Sequence, residues 1–179
     1  MKNFLVSIAL AAGFASAATA FELNSSEVRA DETLKEAQVF AGFGCKGGNL
    51  SPELSWRDAP KGTKSFALTL YDPDAPTGSG WWHWVVYDIP AGAMQLGPGI
   101  GKLSSLPGNA KQGRNDYGGN SFGGACPPAG DAPHRYVFTL YALKTEKLEV
   151  PADASPALIG FMIHANLLGQ ASLTAKYSR

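Results

Sequence analysis

Three titratable side chains lie at the ends of predicted strands, where a pocket at the rim of a β-sheet would use them. Asp72 closes one apolar run, His83 opens a second, and His134 comes directly before a third. Carboxylates and imidazoles together can bind an anion, hold a metal ion or transfer protons. A carboxylate at the end of a strand often caps a turn instead, so the residue types alone leave a structural role open for Asp72.

The strands that would position these groups are predicted from apolar runs bounded by glycine, proline and aspartate. They cover residues 65–71, 82–89 and 135–143, and an early strand is predicted around residues 21–23. The chain has 21 glycines and 12 prolines, which favours turns between short strands over long helices. Residues 97–133 lack periodicity, and a loop of that length in a compact domain is usually functional or misread.

One helix is predicted near the C-terminus, from about Pro156 to about Ala171, with Ser155 as its N-cap. Helical spacing gives this segment one apolar face, formed by Leu158, Phe161, Met162, Ala165 and Leu168. His164 lies in the same helix, where a core or capping role is the default. Together the elements predict a mostly β domain with a C-terminal helix packed on it.

The composition predicts one globular domain of ordinary character. The chain has 179 residues, of which 45% are apolar and 17% are charged, so the apolar material suffices for a core. Acidic and basic residues balance at 15 each, so no long-range field would attract nucleic acid or an anionic membrane surface. A charged partner must therefore be recognised locally.

Residues 1–20 are predicted to be a secretory signal peptide, followed by a single domain over residues 21–179. Lys2 precedes an apolar run of about eleven residues, and small residues then lead to cleavage after Ala20, or alternatively after Ala17. A membrane span needs about 20 apolar residues, so this run is too short to anchor the chain. The mature protein is expected in the periplasm or outside the cell, without spanning a membrane.

The chain has two cysteines, Cys45 and Cys126, which fit an oxidising compartment. An even pair in an exported chain usually forms a disulfide. Closing a loop of that length would stabilise the fold by about 4–5 kcal/mol in the chain-entropy description. Two free thiols are the alternative.

Two glycine motifs match known catalytic patterns but lack the setting that those patterns need. Residues 42–47 fit G-x-G-x-x-G, and residues 119–123 fit G-x-S-x-G. Each pattern works only where a helix starts directly after it. Asparagine, serine and proline follow the first motif, and residues 126–128 (Cys-Pro-Pro) follow the second. Neither a dinucleotide site nor a nucleophile elbow is therefore predicted.

Four segments give the chain a family resemblance: D-P-D-A-P at 72–76, H-W-V-V-Y-D-I-P at 83–90, C-P-P at 126–128 and H-R-Y-V-F at 134–138. In this order they strongly resemble the phosphatidylethanolamine-binding protein (PEBP) family. S-P-E-L-S-W at 51–56 is similar to its bacterial Raf-kinase-inhibitor-like branch, the YbhB/YbcL group, and the signal peptide is similar to that of periplasmic, YbcL-like members. The resemblance covers residues 22–179.

The resemblance implies a PEBP-like fold of antiparallel β-sheets packed together, with a small anion-binding pocket at one end and no cofactor. Trp82 is expected to form a wall of this pocket. The other expected ligand-binding residues are Asp72, His83, His134, Tyr136, Pro127 and Cys126. Eukaryotic members often have glycine at position 126, so Cys126 is expected to stiffen or narrow that edge. Arg135 alternates away from Tyr136 along its strand and is expected to face elsewhere.

The predicted function is a periplasmic binding protein, without enzymatic activity, that holds a phosphate-like anion or a phosphorylated head group. The resemblance also implies modulation of a protein partner, since family members are associated with inhibition of kinases and serine proteases. Asp72 is expected to raise the pKa values of both pocket histidines. Phosphate binding would then strengthen as pH falls from about 7 toward about 6.

Two other function classes stay open. Asp72, His83 and His134 could form a metal set or an acid/base pair in a hydrolase. Alternatively, the tryptophans and the loop over residues 97–124 could bind a protein partner, which would make the chain an interaction module.

Overall fold

The computed structural model describes residues 20–179, so the predicted signal peptide up to residue 19 lies outside the described residues. In chain order the described elements are β1 (Glu22–Asn24), a 3-10 helix (Glu36–Gln38), β2 (Ala41–Gly42), β3 (Cys45–Lys46), β4 (Leu54–Arg57), β5 (Ser65–Asp72), β6 (Trp81–Pro90), β7 (Gln95–Leu96), β8 (Lys111–Gln112), β9 (His134–Leu143), α1 (Pro156–Ala165) and β10 (Leu167–Tyr177). The three strong predicted strands correspond to β5, β6 and β9.

The named strands pair antiparallel throughout. The large sheet has the strand order β10-β9-β5-β6-β8, the small sheet has the order β1-β4-β7, and β2 pairs with β3 in a hairpin. The predicted class, antiparallel β-sheets with a C-terminal helix, is confirmed.

The two faces of β5 are buried against different partners, because side chains alternate along a strand. Leu68 and Leu70 belong to a core cluster shared with the small sheet. Ala67 belongs to a second cluster that includes Ile159 and Ile163 of α1. The large sheet is therefore the middle layer between the small sheet and the helix. Burial on both faces also explains why β5 is a nearly continuous apolar run.

The C-terminal helix is shorter than predicted. It begins after Ser155, whose hydroxyl accepts the N–H of Leu158, and it ends at Ala165. The expected continuation to Ala171 is wrong because the chain instead forms β10, which pairs with β9 over residues 167–177. Ladder hydrogen bonds to β9 stabilise an extended backbone there, and this tertiary pairing overrides the helical spacing of the side chains.

The helix also buries a different face from the predicted one. Ile159 and Ile163 are each 1% exposed, whereas Phe161 is 69% exposed and Leu158 is 40% exposed. The predicted face was Leu158, Phe161, Met162, Ala165 and Leu168. Met162 does pack against the core beside the helix, but Leu158, Phe161 and Ala165 are exposed and Leu168 belongs to β10. The prediction is therefore wrong except at Met162, because the apolar residues of this helix fit more than one helical stripe and only packing selects the buried one.

Replacing Ile163 with valine is expected to lower the free energy of unfolding by about 1 kcal/mol, because it removes one buried methyl group. Replacing the exposed Phe161 with leucine is the matched control and should change it by less than about 0.5 kcal/mol. Urea unfolding of both variants measures the difference. Equal costs at the two positions would contradict this orientation of α1.

Candidate functional site

A pocket of about 210 Å³ opens at the edge of the large sheet where β5 ends and where β6 and β9 begin. These strands are antiparallel neighbours, so residues far apart in the sequence meet at this edge. The predicted site residues that line the pocket are Asp72, His83, Cys126, Pro127 and His134. Further lining residues include Phe43, Pro76, Thr77, Trp81, Tyr117 and Pro128.

A buried ion pair joins the end of β5 to the start of β9. Asp72 Oδ2 lies 2.8 Å from His134 Nδ1, and the two side chains are 3% and 5% exposed. Asp72 Oδ1 accepts hydrogen bonds from the backbone N–H groups of Asp74 and Ala75 at 2.8 and 3.1 Å. The other ring nitrogen of His134 lies 3.3 Å from Asp131 Oδ2. Asp72 therefore both closes its turn and holds His134.

The same contacts set the charge of His134. Burial lowers its pKa, but hydrogen bonds and charge from Asp72 and then Asp131 outweigh burial, so the pKa of His134 is raised. Both ring nitrogens then act as donors to carboxylates. The expectation that Asp72 raises the pKa of this histidine agrees with the geometry.

His83 is in the opposite state. Its Nδ1 lies 2.9 Å from the carbonyl oxygen of Gly123 and 3.1 Å from that of Gly124. Carbonyl oxygens only accept, so Nδ1 carries the proton in the neutral ring and Nε2 carries a lone pair. Burial lowers the pKa of His83 to about 4, although the carbonyls and Asp72 act in the other direction. The expectation of a raised pKa is therefore wrong for His83, because desolvation outweighs the nearby carboxylate.

A β-bulge decides which aromatic residue reaches the pocket. In the β5–β6 pairing Trp84 faces Leu70 while Trp82 faces Tyr71, which leaves His83 as the extra residue. Beyond the bulge the alternation of faces is reversed, so that Trp81 lines the pocket. Trp82 packs instead on Tyr71, at 4.5 Å between ring centroids, and against the helix-side core. The wall of the pocket is therefore Trp81, and the expectation for Trp82 is wrong because Trp82 lies on the opposite face.

The two other β9 residues of the predicted group lie on opposite sides of the strand. Tyr136 is fully buried behind the pocket lining, with its ring centroid 5.2 Å from that of His83. Burial and the charge of Asp72 raise the pKa of its hydroxyl. Arg135 faces outward, as expected, and its guanidinium donates to Asp74 at 2.7 and 2.9 Å. These hydrogen bonds lower the pKa of Asp74 to about 2.

Besides Trp81, two aromatic residues of the pocket were missed by sequence reasoning. Tyr117 comes from the glycine-rich stretch at residues 97–133, and its hydroxyl donates to the carbonyl of Gly124 at 3.0 Å. Phe43 comes from the turn between β2 and β3. The sequence does contain a signal for Tyr117, because an aromatic residue inside a glycine-rich loop must pack its ring against other residues.

The predicted disulfide between Cys45 and Cys126 is present, with 6.0 Å between the Cα atoms. Cys126 lines the pocket and Cys45 is buried behind it. The bond therefore fastens β3 to the pocket edge.

The side chains proposed as a metal set do not converge as ligands. Within residues 20–179 no group of three histidine, cysteine, aspartate or glutamate side chains is placed to hold a metal ion. Both nitrogens of His134 face carboxylates, and Nδ1 of His83 faces carbonyls.

Comparison with known proteins places the chain in a family. A family model described as phosphatidylethanolamine-binding protein matches residues 24–178. The UPF0098 protein YbcL of Escherichia coli (strain K12) is 52% identical, over 99% of this chain and 98% of YbcL. The UPF0098 protein YbhB of the same strain is 48% identical, over 88% of this chain and 99% of YbhB. The chain belongs to the phosphatidylethanolamine-binding protein family.

Solved structures agree. The crystal structure of E. coli YbcL, described as a new member of the mammalian PEBP family, superposes with a TM-score of 0.86 at 53% identity, covering 89% of this chain and 98% of that one. A protein named as a lipoprotein, LppC of Mycobacterium tuberculosis (strain H37Rv), is a further relative, 35% identical over 75% of this chain and 63% of its own. None of these names denotes an enzyme. In the described part of the chain, no helix is long and apolar enough to cross a membrane.

Proposed function

We propose that the chain is a binding protein that acts outside the cytoplasm and holds a phosphate-type anion in the pocket between β5, β6 and β9. One observation carries the proposal: two pocket-lining side chains have buried polar atoms without a partner, His83 Nε2 and Trp81 Nε1. A buried polar group left unsatisfied costs about 1–3 kcal/mol. A ligand that forms hydrogen bonds with both atoms recovers that free energy.

The neutral state of His83 selects the chemistry of the ligand. The indole of Trp81 donates, and neutral His83 Nε2 accepts. A phosphate monoester with one proton has both partners that these atoms need. Its charged oxygen accepts the N–H of Trp81, and its hydroxyl donates to His83 Nε2. The proton can equally move to His83, which then donates to the dianion. In both arrangements the complex holds one proton, so affinity falls as pH rises above the second phosphate pKa of about 6.

Charge neutralisation makes room for an anion beside Asp72. A lone buried carboxylate would repel a phosphate. Protonated His134, at 2.8 Å from Asp72, cancels that charge. The Asp72–His134 pair therefore has no net charge, so it does not repel the anion, and it is not the group that neutralises the anion's charge.

The hydroxyl and sulfur groups of the pocket favour binding over catalysis. The hydroxyl of Thr77 donates to the carbonyl of Gly80, and that of Tyr117 donates to Gly124. Cys126 is held in the disulfide. Each of these hydroxyl and sulfur groups is therefore already engaged, and the proposed role is recognition.

Three features support a location outside the cytoplasm. The N-terminal segment has the pattern of a signal peptide. Cys45 and Cys126 form a disulfide, which persists in oxidising compartments. A relative, LppC, is named as a lipoprotein.

Titration with methyl phosphate near pH 6, followed by ¹H–¹⁵N NMR, is the experiment that tests this proposal. Binding should shift the indole N–H of Trp81 and the ring nitrogens of His83, because these atoms gain the new hydrogen bonds. The indole N–H of Trp82 is the internal control, since it lies on the other face of the sheet. Equal shifts at both indoles, or none at either, would contradict the proposed site.

A further inference from the structure

A short hairpin forms part of the pocket mouth. β2 and β3 pair over two residues each, and the turn between them is Phe43-Gly44, with φ angles of 51° and 83°. Positive φ at both central residues matches the tight turns of two-residue hairpins. A two-stranded hairpin is marginally stable by itself, so the position of this tip depends on what holds it.

Phe43 extends from the tip of this hairpin to the pocket. It lines the pocket although it is 69% exposed. Its ring centroid lies 5.5 Å from that of Tyr117 and 5.8 Å from that of Phe40. An apolar ring at the mouth excludes water from the polar atoms of the pocket, and hydrogen bonds to an anion strengthen where the local dielectric is low.

The base and the tip of the hairpin are held by different interactions. The base is tied by backbone, since the N–H of Phe40 donates to the carbonyl of Ala125 at 2.9 Å. The tip is tied by the disulfide from Cys45 to Cys126 and by the ring contacts of Phe43. Breaking the disulfide would therefore leave the tip held only by the ring contacts of Phe43, while the backbone hydrogen bond keeps the base in place.

We propose that the Cys45–Cys126 disulfide keeps Phe43 over the pocket mouth, and that a dithiol reductant opens the mouth and weakens anion binding. The inference rests on the proposed function and adds redox control to the same site. In this proposal the disulfide raises the affinity for the anion by holding Phe43 in place.

The chemistry of opening is thiol–disulfide exchange. Cys126 is partly exposed and Cys45 is buried, so a reductant thiolate attacks the sulfur of Cys126 and Cys45 leaves as a thiolate. The second thiol of the reductant then attacks the mixed disulfide and releases Cys126. Two electrons pass from the dithiol to the cysteine pair, the reductant becomes a disulfide, and protons complete the two thiols.

The test compares oxidised protein with protein reduced by dithiothreitol, using amide hydrogen exchange and methyl phosphate binding. Exchange at residues 41–46 should rise at least about tenfold on reduction, while β5 and β9 keep their protection. The Kd for methyl phosphate should rise about tenfold, which corresponds to a mouth closed about a tenth of the time. The Cys45→Ser/Cys126→Ser variant should show the same exchange at residues 41–46 and the same Kd as the reduced protein, and dithiothreitol should change neither.

Phe43→Ala with the disulfide intact separates the ring from the bond. It should weaken methyl phosphate binding to a similar extent and show little further loss on reduction. Unchanged exchange at residues 41–46 on reduction would overturn the proposal, as would an unchanged Kd. Loss of protection in β5 and β9 as well would also overturn it, because the disulfide would then support the whole fold. If the oxidised protein binds no methyl phosphate, the proposed function is wrong. The hydrogen-exchange data then test by themselves whether reduction opens the hairpin.

Discussion

Replacing Asp72 with alanine is expected to lower the free energy of unfolding by about 3–5 kcal/mol, as for removal of one partner of a buried ion pair. The variant would leave the buried ring of His134 without the acceptor that orients it and favours its charged form, since its Nδ1 donates to Asp72 at 2.8 Å. It would also leave the N–H groups of Asp74 and Ala75 without their acceptor. Urea unfolding at constant pH measures the change.

Asp131→Ala is the matched control, because it removes the other carboxylate on the same imidazole. The Asp131 side chain is 41% exposed, and its contact with His134 is longer, at 3.3 Å. Exposed ion pairs contribute about 0–1 kcal/mol, so this variant should lose no more than that. Similar losses in the two variants would contradict the view that Asp72 is the residue that supports the site.

His83 should make the protein less stable in mild acid. Its pKa is about 4 in the folded chain, against a reference value of 6.5. Between these values the unfolded chain binds the extra proton and the folded chain does not, so stability falls as pH falls from about 6.5 to about 4. The contribution from this one residue amounts to about 3 kcal/mol.

The His83→Gln variant isolates this contribution, because glutamine keeps a polar side chain of similar size and does not titrate. As pH falls from about 6.5 to about 4, the native protein should lose more unfolding free energy than the variant, because only the native protein carries the titrating imidazole. A difference between the two unfolding free energies that stays constant with pH would show that His83 titrates normally, and the neutral state assigned to it would be wrong.

Much of the fold could be predicted because turn-forming residues mark the ends of its central strands in the sequence. β5 is buried on both faces, so it is a continuous apolar run, and Asp72-Pro73 marks its end. From its sequence, Asp72 could either cap a turn or line a pocket. The structure shows that Asp72 occupies both positions, since one oxygen caps the turn and the other binds His134.

The parts that could not be predicted depend on pairing between distant segments. Nothing local marks His83 as a bulge residue, because the bulge exists only in the register of β6 against β5. That register decides whether Trp81 or Trp82 faces the pocket. In the same way, the predicted helix continues to Ala171, but residues from Leu167 onward become β10 because β9 offers an edge with which they pair.

The charge states of the histidines also lay beyond the sequence. Asp72 is near both rings, and proximity alone would raise both pKa values. The pKa of His134 is raised because carboxylates contact both of its nitrogens, whereas burial against carbonyl groups lowers that of His83. The difference comes from hydrogen-bond partners that only the folded chain defines.

Calorimetric titration with methyl phosphate at about pH 6 and about pH 7.5 tests whether the pocket holds a phosphate monoester together with one proton. Methyl sulfate is the matched ligand, because it has the same shape and a negative charge but no proton to give to His83. We expect binding of methyl phosphate to be about tenfold tighter at the lower pH, binding of methyl sulfate to be much weaker at both pH values, and binding to be lost in His83→Ala. Equal affinity for methyl phosphate at the two pH values, or unchanged binding in His83→Ala, would contradict this expectation.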